Sequence, residues 1–382
     1  MTTLLERFIA SHPDWEDLIQ KEPYYIKIAR KDDYLLLHYD QLNSDFNDPM
    51  VRECRSIILR AGLDDKVKIV AYPFNKFGNY GESYVDTIDW KTAVVQEKVD
   101  GSMIILWWDE RGWHVSTSGC VDASDATLPP NRLGLKNYRE LFDYTVKLHD
   151  YHPELLDKNY TWIFEQVSPY NRVVVPYSTP DLYILGARDI RTLEEKSVDD
   201  IDLFSHPKKY PLNSLDACLA VAGTFTYDKE GFVVVDAHWH RNKIKSPAWV
   251  AVHGLVGNGN LTIKRLLKLR DDSGEFLTYF PEYKSRFEEL ETAIAEYKAR
   301  IESKSRELES LKRDRKAFAE EALKSPDSGA LFKLGFGGMT ADQFWDSLTI
   351  NKQVKILEEE MGNEEGICSD SSSNYADDAD DG

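Results

Sequence analysis

The sequence predicts an α+β chain, rich in strands through about residue 255 and all-helical beyond it. Short runs of strand formers bounded by turn residues recur through the first part: Ser56–Arg60, Met103–Trp108, Thr161–Val167 and Phe232–Val235. Further on, apolar residues recur three and four apart, at Phe287, Leu290, Ile294, Tyr297, Ile301, Leu308, Leu311 and Phe318. A chain of 382 residues with 42% hydrophobic content is long enough for a sizeable core and two domains. The expected division is 1–255, 256–361 and a tail over 362–382.

Taken in order, residues 3–21 read as a helix broken near Pro13, and Tyr24–Tyr39 alternates as a strand does. Glu53-Cys54-Arg55 leads into the strand Ser56–Arg60. Arg52 and Arg55 could clamp a phosphate, although an Arg52–Glu53 surface pair explains the same residues. Ala71–Glu82 is a loop of aromatics and glycines with one lysine, Lys76, which could meet a phosphate while the rings pin the loop to the core. Ser102–Trp108 and Trp113–Ser118 read as a hairpin, and Leu135–Asp150 as a helix. Thr161–Val167 is a strand, and Arg172–Tyr177 and Leu182–Asp189 continue the strands. Lys229-Glu230-Gly231 opens the strand Phe232–Val235, and Lys243-Ile244-Lys245 places two lysines on one strand face with Ile244 turned to the core.

The chemistry centres on Glu97-Lys98-Val99-Asp100-Gly101-Ser102. Lys98 falls where an apolar run gives way to a tight turn, and a surface lysine beside an Asp-Gly explains so short a pattern when it is taken alone. Low-dielectric surroundings there would disfavour its charge and make it a nucleophile. Asp100 would hold or orient it, and Gly101 would let backbone approach a ligand closely. Glu165, in an apolar run, requires a partner, either a ligand hydroxyl or a buried arginine such as Arg172. Two ammoniums as close as those of Lys243 and Lys245 repel unless an anion, most naturally a phosphate, lies between them.

Net charge is −19, which argues against a nucleic-acid partner held by general attraction. Ten acids and no Lys or Arg fall within Glu358–Gly382, leaving −9 on the rest. That composition predicts a disordered acidic tail, and any polynucleotide must be met by local basic patches. No apolar run of about 18 residues spans a membrane. The start lacks a secretory layout. Four scattered cysteines argue against a zinc site or disulfide framework, so the expected location is the reducing cytoplasm.

Together, Lys98-x-Asp100-Gly101-Ser102, the strand acid Glu165, Glu230-Gly231-Phe232-Val233-Val234-Val235 and Lys243-Ile244-Lys245 resemble the covalent nucleotidyltransferases, the superfamily of polynucleotide ligases and mRNA capping enzymes. Glu53-Cys54-Arg55, Pro73–Phe77 and Phe164–Pro169 with Asn171-Arg172 narrow the resemblance to the ATP-dependent RNA ligase 1 group of tailed bacteriophages, over about residues 50–250. That implies an antiparallel-sheet, ATP-grasp-like ligase adenylylation domain followed by an all-α domain. It implies that Lys98 attacks the α-phosphate of ATP, and that the AMP passes to an RNA 5′-phosphate before a 3′-hydroxyl seals the strand. Arg55 and Lys76 would contact the triphosphate, Glu97, Asp100 and Gly101 would frame the nucleotide, and Glu165 would accept from the ribose. Glu230 would be a metal-associated acid, with Glu165 also near the metal, and Lys243 and Lys245 would brace the α-phosphate. Magnesium or manganese is implied, as is host cytoplasm if the chain is phage-encoded.

Two departures stand out. His114–Cys120 lacks the lysines that the phage group carries there, and Ser56 stands where that group has a glycine. Beyond residue 255, Lys264, Arg265, Lys268 and Arg270 on a short helix are a candidate RNA patch or a solvated face. The ladder from Phe287 to Phe318 predicts one long amphipathic helix, and Met339–Met361 a returning one. The absence of a train of short strands there separates the chain from DNA ligases and capping enzymes, which append a β-barrel. A helical C-terminal domain resembles that of the RNA ligase 1 group, associated with tRNA, so RNA and tRNA repair is the expected role. A DNA ligase, a capping-type nucleotidyltransferase and a non-catalytic RNA-binding relative are the alternatives.

Overall fold

The computed structural model describes residues 2–361 apart from 42, 63–66, 257–260, 271–272, 274–276 and 278–280. The expected acidic tail lies outside the described residues. The chain divides into two compact units, one within Met1–Gly259 and one within Asn260–Gly366.

The first unit opens with α1 (Leu4–Ser11) and α2 (Trp15–Ile19), with Pro13 between them. Thr3 and Glu6 form a capping box at the start of α1. Glu53, at the end of α3 (Pro49–Glu53), also accepts from the N–H groups of Leu4 (3.1 Å) and Leu5 (2.9 Å). Glu53 is therefore a buried helix cap, and the alternative of a surface pair with Arg52 does not hold.

Among the described residues three antiparallel sheets follow. Tyr24–Tyr39 is a hairpin rather than a single strand, with β1 (Ile26–Lys31) and β2 (Tyr34–Tyr39) continuing into β3 (Arg55–Ala61) and β4 (Val67–Ala71). The second sheet is built on the expected hairpin of β5 (Val94–Glu97)'s successors: β6 (Ser102–Asp109) and β7 (Gly112–Thr117). It adds β8 (Tyr160–Val167), β9 (Asp181–Asp189) and β10 (Glu195–Lys196), in the order β10-β9-β8-β6-β7. The helix α4 (Tyr138–His149) packs against its outer face. The third sheet has the order β11-β5-β12-β13, with β11 (Lys209–Tyr210), β12 (Gly231–Val235) and β13 (Arg241–Lys245). It is covered by α5 (Leu215–Ala222), and α6 (Pro247–Val256) follows β13.

Arg172–Tyr177 is not a strand. The N–H groups of Val174 (2.9 Å) and Val175 (2.7 Å) donate to Asp100 Oδ2, so this backbone finds its acceptor in a side chain instead of a neighbouring strand. A buried triad joins the sheets: Glu195 of β10 pairs with Arg188 of β9 at 2.8 Å and with Arg241 of β13 at 2.6 Å. The two guanidiniums lie 4.1 Å from the ring centres of Tyr72 and Phe74, which follow β4.

The second unit is helical among its described residues: α7 (Ile263–Leu269), α8 (Lys284–Glu307), α9 (Arg315–Ala322), α10 (Ser328–Phe336), α11 (Ala341–Asp346) and α12 (Ile350–Met361). The expected single helix from Phe287 to Phe318 breaks at Leu308 into a 3₁₀ turn over Glu309–Arg313. Asp314 then accepts from the N–H groups of Lys316 and Ala317, which starts α9 as a new helix. The returning segment is likewise two helices, because Thr340 and Gln343 cap α11 and the chain turns at Ser347. Of the expected patch, Lys264, Arg265 and Lys268 lie on α7, while Arg270 pairs with Glu291 at 2.5 Å. No helix of the described residues is long and apolar enough to cross a membrane.

Candidate active site

The site forms where the third sheet meets the second. Lys98 leaves the end of β5, and its N–H donates to the Gly231 carbonyl (2.9 Å), fixing it beside the start of β12. Glycine is required at Gly231: its φ is +139°, and a Cβ would lie 2.1 Å from the Ile244 carbonyl oxygen. That close approach holds Glu230 at the mouth of β12, with its own carbonyl accepting from Ser246 N–H at 2.7 Å. At Gly101 a Cβ would stand 2.4 Å from the Gln166 carbonyl oxygen. The close contact that demands glycine there is with β8.

Glu230 is 3% exposed and sits between two lysines, with Lys98 Nζ at 2.7 Å and Lys245 Nζ at 3.5 Å. Glu165 Oε1 accepts from Gly101 N–H (3.1 Å). Arg172 Nε donates to the Val174 carbonyl (2.9 Å). Asp100, expected to hold Lys98, binds the 174–175 backbone, and its N–H donates to Tyr177 Oη (3.2 Å). The group that holds the lysine is Glu230.

Arg55 and Lys76 come from the first sheet and its following loop. The Arg55 guanidinium and the Lys243 ammonium lie 4.9 and 4.8 Å from the Phe77 ring centre, and Arg55 Nη1 is buried without a hydrogen-bond partner among the described residues. Lys76 Nζ lies 4.7 Å from the Tyr39 ring centre and 4.5 Å from that of Phe46, and donates to Gln41 Oε1 (2.9 Å). Arg52, the other half of the expected clamp, donates to the Tyr84 carbonyl (3.1 Å) instead.

The electrostatics correct one expectation and extend another. Burial opposes a charge on Lys98, but Glu230, Glu165 and Asp100 outweigh it, so its pKa is raised rather than depressed. The other cations behave oppositely. Burial and the nearby Arg55 bring Lys76 down to about 7. Burial, then Lys76, Arg55, Lys98 and Lys245, pushes Lys243 well below the usual lysine range. Lys245 is lowered by burial in spite of Glu230. Burial lifts Glu165 to about 7 and Asp100 to about 6, and it raises Glu97 against the pull of Lys229 and Lys208. The result is a cluster of cations whose charged forms burial disfavours, beside one lysine paired to a carboxylate.

Among the described residues no group of three His, Cys, Asp or Glu could hold a metal ion. Glu165 and Glu230 offer hard oxygen ligands, yet each is already engaged, so phosphate oxygens would have to complete any magnesium shell here.

Sequence reasoning missed His38, Gln41 and Tyr177. His38 is buried and lies across from Arg55 at a β-bulge whose extra residue is Ser56, with φ +65°. That left-handed backbone explains why a glycine suits the position, and it was the one available signal. Ser56 Oγ donates to the Ser118 carbonyl (2.7 Å) and lies 3.3 Å from His38 Nδ1. The lysine-free stretch from His114 is structural at its start: His114 bonds Asp109 (2.8 Å) and stacks on Trp107.

Residues 53–249 match the RNA ligase family. An RNA ligase of Rhodothermus phage RM378 is 34% identical over 165 residues, 36% of this chain and 37% of that protein. A protein named as a bifunctional polynucleotide kinase/RNA ligase in Autographa californica nuclear polyhedrosis virus is 27% identical over 290 residues, 71% of this chain and 41% of that one. One named as an RNA ligase in Thermovibrio ammonificans is 30% identical over 195 residues, 48% of each. The chain thus spans less than half the length of these relatives.

Proposed function

The chain belongs to the RNA ligase family, of the phage RNA ligase 1 type, and we propose that it joins RNA ends using ATP through an enzyme-bound lysyl-adenylate. The observation that carries this reading is Lys98 paired to buried Glu230 at 2.7 Å, beside Arg55, Lys76, Lys243 and Lys245. Buried cations of one sign are costly unless an anion completes them, and a nucleoside triphosphate is such an anion.

In the first step Lys98 Nζ attacks the α-phosphorus, a P–N bond forms, and the α–β bridging P–O bond breaks to release pyrophosphate. Lys98 must first lose a proton, and Glu230 Oε2 is the acceptor already hydrogen-bonded to it. Lys243 and Lys245 brace the α-phosphate, Arg55 and Lys76 hold the outer phosphates, and Glu165 accepts from the ribose, with Glu97, Asp100 and Gly101 framing the nucleotide. Magnesium or manganese arriving with ATP supplies further neutralisation of phosphate charge. In the second step an RNA 5′-phosphate oxygen attacks the same phosphorus, the P–N bond breaks, and Lys98 takes back a proton. In the third, a 3′-hydroxyl oxygen attacks the phosphorus of the RNA 5′-phosphate, the P–O bond linking it to AMP breaks, and the hydroxyl proton passes to solvent as AMP leaves. Positioning and charge neutralisation supply most of the catalysis in such displacements. RNA with these ends, tRNA included, is the proposed substrate, and the cytoplasm the proposed place of action.

The test is incubation with α-labelled ATP and magnesium, followed by denaturing electrophoresis. Label that survives denaturation in the wild type and is lost in Lys98→Ala supports the reading. Label from GTP or NAD instead would favour a capping-type enzyme or a different ligase. No label from any donor, on protein free of bound adenylate, would leave a non-catalytic RNA-binding relative.

A further inference from the structure

Glu97 ends β5 immediately before Lys98, on the face of the third sheet that α5 covers, since it lies opposite buried Phe232. Two lysines flank it. Lys208 precedes β11 and accepts the Glu97 N–H with its carbonyl at 2.7 Å, and Lys229 directly precedes Glu230. Both weigh electrostatically on the Glu97 carboxyl. Neither makes an ion pair among the described residues, Glu97 included, so each faces that carboxyl from beyond contact distance. Instead each sits on a ring: Lys208 Nζ lies 5.1 Å from the Tyr210 centroid, and Lys229 Nζ 5.1 Å from that of Phe225.

The rings are not free to collapse. Tyr210 and Phe225 stand 6.5 Å apart, and both rest on Phe232, at 4.9 and 5.2 Å. The chain therefore presents two half-buried aromatic surfaces, with two ammoniums that make no ion pair among the described residues, at the end of the sheet from which Lys98 emerges. Ammoniums matched to phosphates beside rings matched to bases is how proteins hold single-stranded nucleic acid. An isolated lysine over a ring is commonplace. Two of them, on adjoining propped rings, one next to Glu230 in the chain and the other bonded through its carbonyl to the residue before Lys98, form a surface.

We propose that Lys208, Tyr210, Phe225 and Lys229 form the surface that receives the single-stranded RNA end carrying the 5′-phosphate and leads it across the end of the sheet to Lys98. The proposal rests on the ligase reading above. It assigns RNA, not ATP, to these residues.

The experiment compares the full chain with Lys208→Gln/Lys229→Gln. Self-adenylylation is followed with α-labelled ATP. Transfer of AMP from pre-adenylylated enzyme to a 5′-phosphorylated oligoribonucleotide is followed in single turnover, at several salt concentrations. The expected result is self-adenylylation within twofold of wild type, with a half-saturating RNA concentration raised roughly tenfold or more. The slope of log affinity against log salt should become shallower by about 1.4, or 0.7 per lost phosphate contact on a single strand. Unchanged RNA saturation and slope would overturn the proposal. So would loss of self-adenylylation in the double variant, which would assign these lysines to the nucleotide. Failure of the wild type to take label from ATP would instead overturn the ligase reading beneath it.

Discussion

Lys98 Nζ stands 2.7 Å from Glu230 Oε2, and the carboxylate that holds it is almost wholly buried. The resting nucleophile is therefore a paired ammonium, held above its ordinary pKa by Glu230, Glu165 and Asp100 against burial. Removing Glu230's charge takes away the leading stabiliser of that ammonium. In Glu230→Gln at pH 8, acylation of Lys98 by an amine-reactive ester, quantified by mass spectrometry, should rise severalfold, while adenylylation by ATP falls by about 100-fold or more. Equal acylation of Lys98 in both proteins would show that the pair does not protect it.

Nucleotide binding should draw protons into the protein. With a pKa near 7, Lys76 is mostly neutral at pH 8, and Lys243 is held well below the ordinary lysine range. A polyphosphate beside them favours their charged forms, so their pKa values rise and protons are bound. Calorimetry with α,β-methylene-ATP, which cannot be cleaved by Lys98, in buffers of different ionisation enthalpy should report net uptake at pH 8. Uptake should shrink at pH 6, where Lys76 is already charged. Net release at pH 8 would contradict the arrangement.

Gly231→Ala should unfold the first unit's site rather than merely slow it. Its φ of +139° and the 2.1 Å approach to the Ile244 oxygen leave no room for a methyl group. A cost of about 2–4 kcal/mol is expected, seen as a lower melting temperature. Gly101→Ala, facing the Gln166 carbonyl, should behave similarly. A variant of either kind with wild-type melting would mean that β12 or β8 yields to the added methyl group.

Ser56 tests the bulge beneath Arg55. Ser56→Gly relieves a left-handed backbone but loses the hydrogen bond to Ser118, two effects of about 1 kcal/mol each with opposite sign, so stability should change little. Ser56→Val loses the bond and adds a β-branched side chain at φ +65°, and should cost roughly 2 kcal/mol or more. Equal denaturation midpoints for the two variants would count against the strained bulge.

Much of the site was legible in the chain because its chemistry lies in short local patterns. Lys98, Glu165, Glu230, Lys243 and Lys245 each open, end or punctuate an apolar strand, and alternation along β13 alone puts the two lysines on one face with Ile244 on the other. The helical character of the second unit was legible for the same reason, since spacing of three and four needs no distant partner. Its breaks at Leu308 and Ser347 were not, because a cap such as Asp314 competes with an unbroken apolar ladder and periodicity does not weigh that competition.

What the sequence by itself determined is which residues carry charge, which alternate into strands, and which family motif they compose. Only the tertiary structure decided which group each one meets. Lys98 read alone is a lysine near a core, expected to lose its charge. Glu230, 132 positions away, reverses that by standing against it. Gly101 read alone is a glycine that admits a ligand and Gly231 one that opens a strand, yet each is required by the backbone of a strand elsewhere in the chain. Arg52 and Arg55 look equivalent until one meets the Tyr84 carbonyl and the other keeps a buried donor without a partner among the described residues. A pKa or a steric demand depends on distance, and distances between remote residues are set by how the sheets pack.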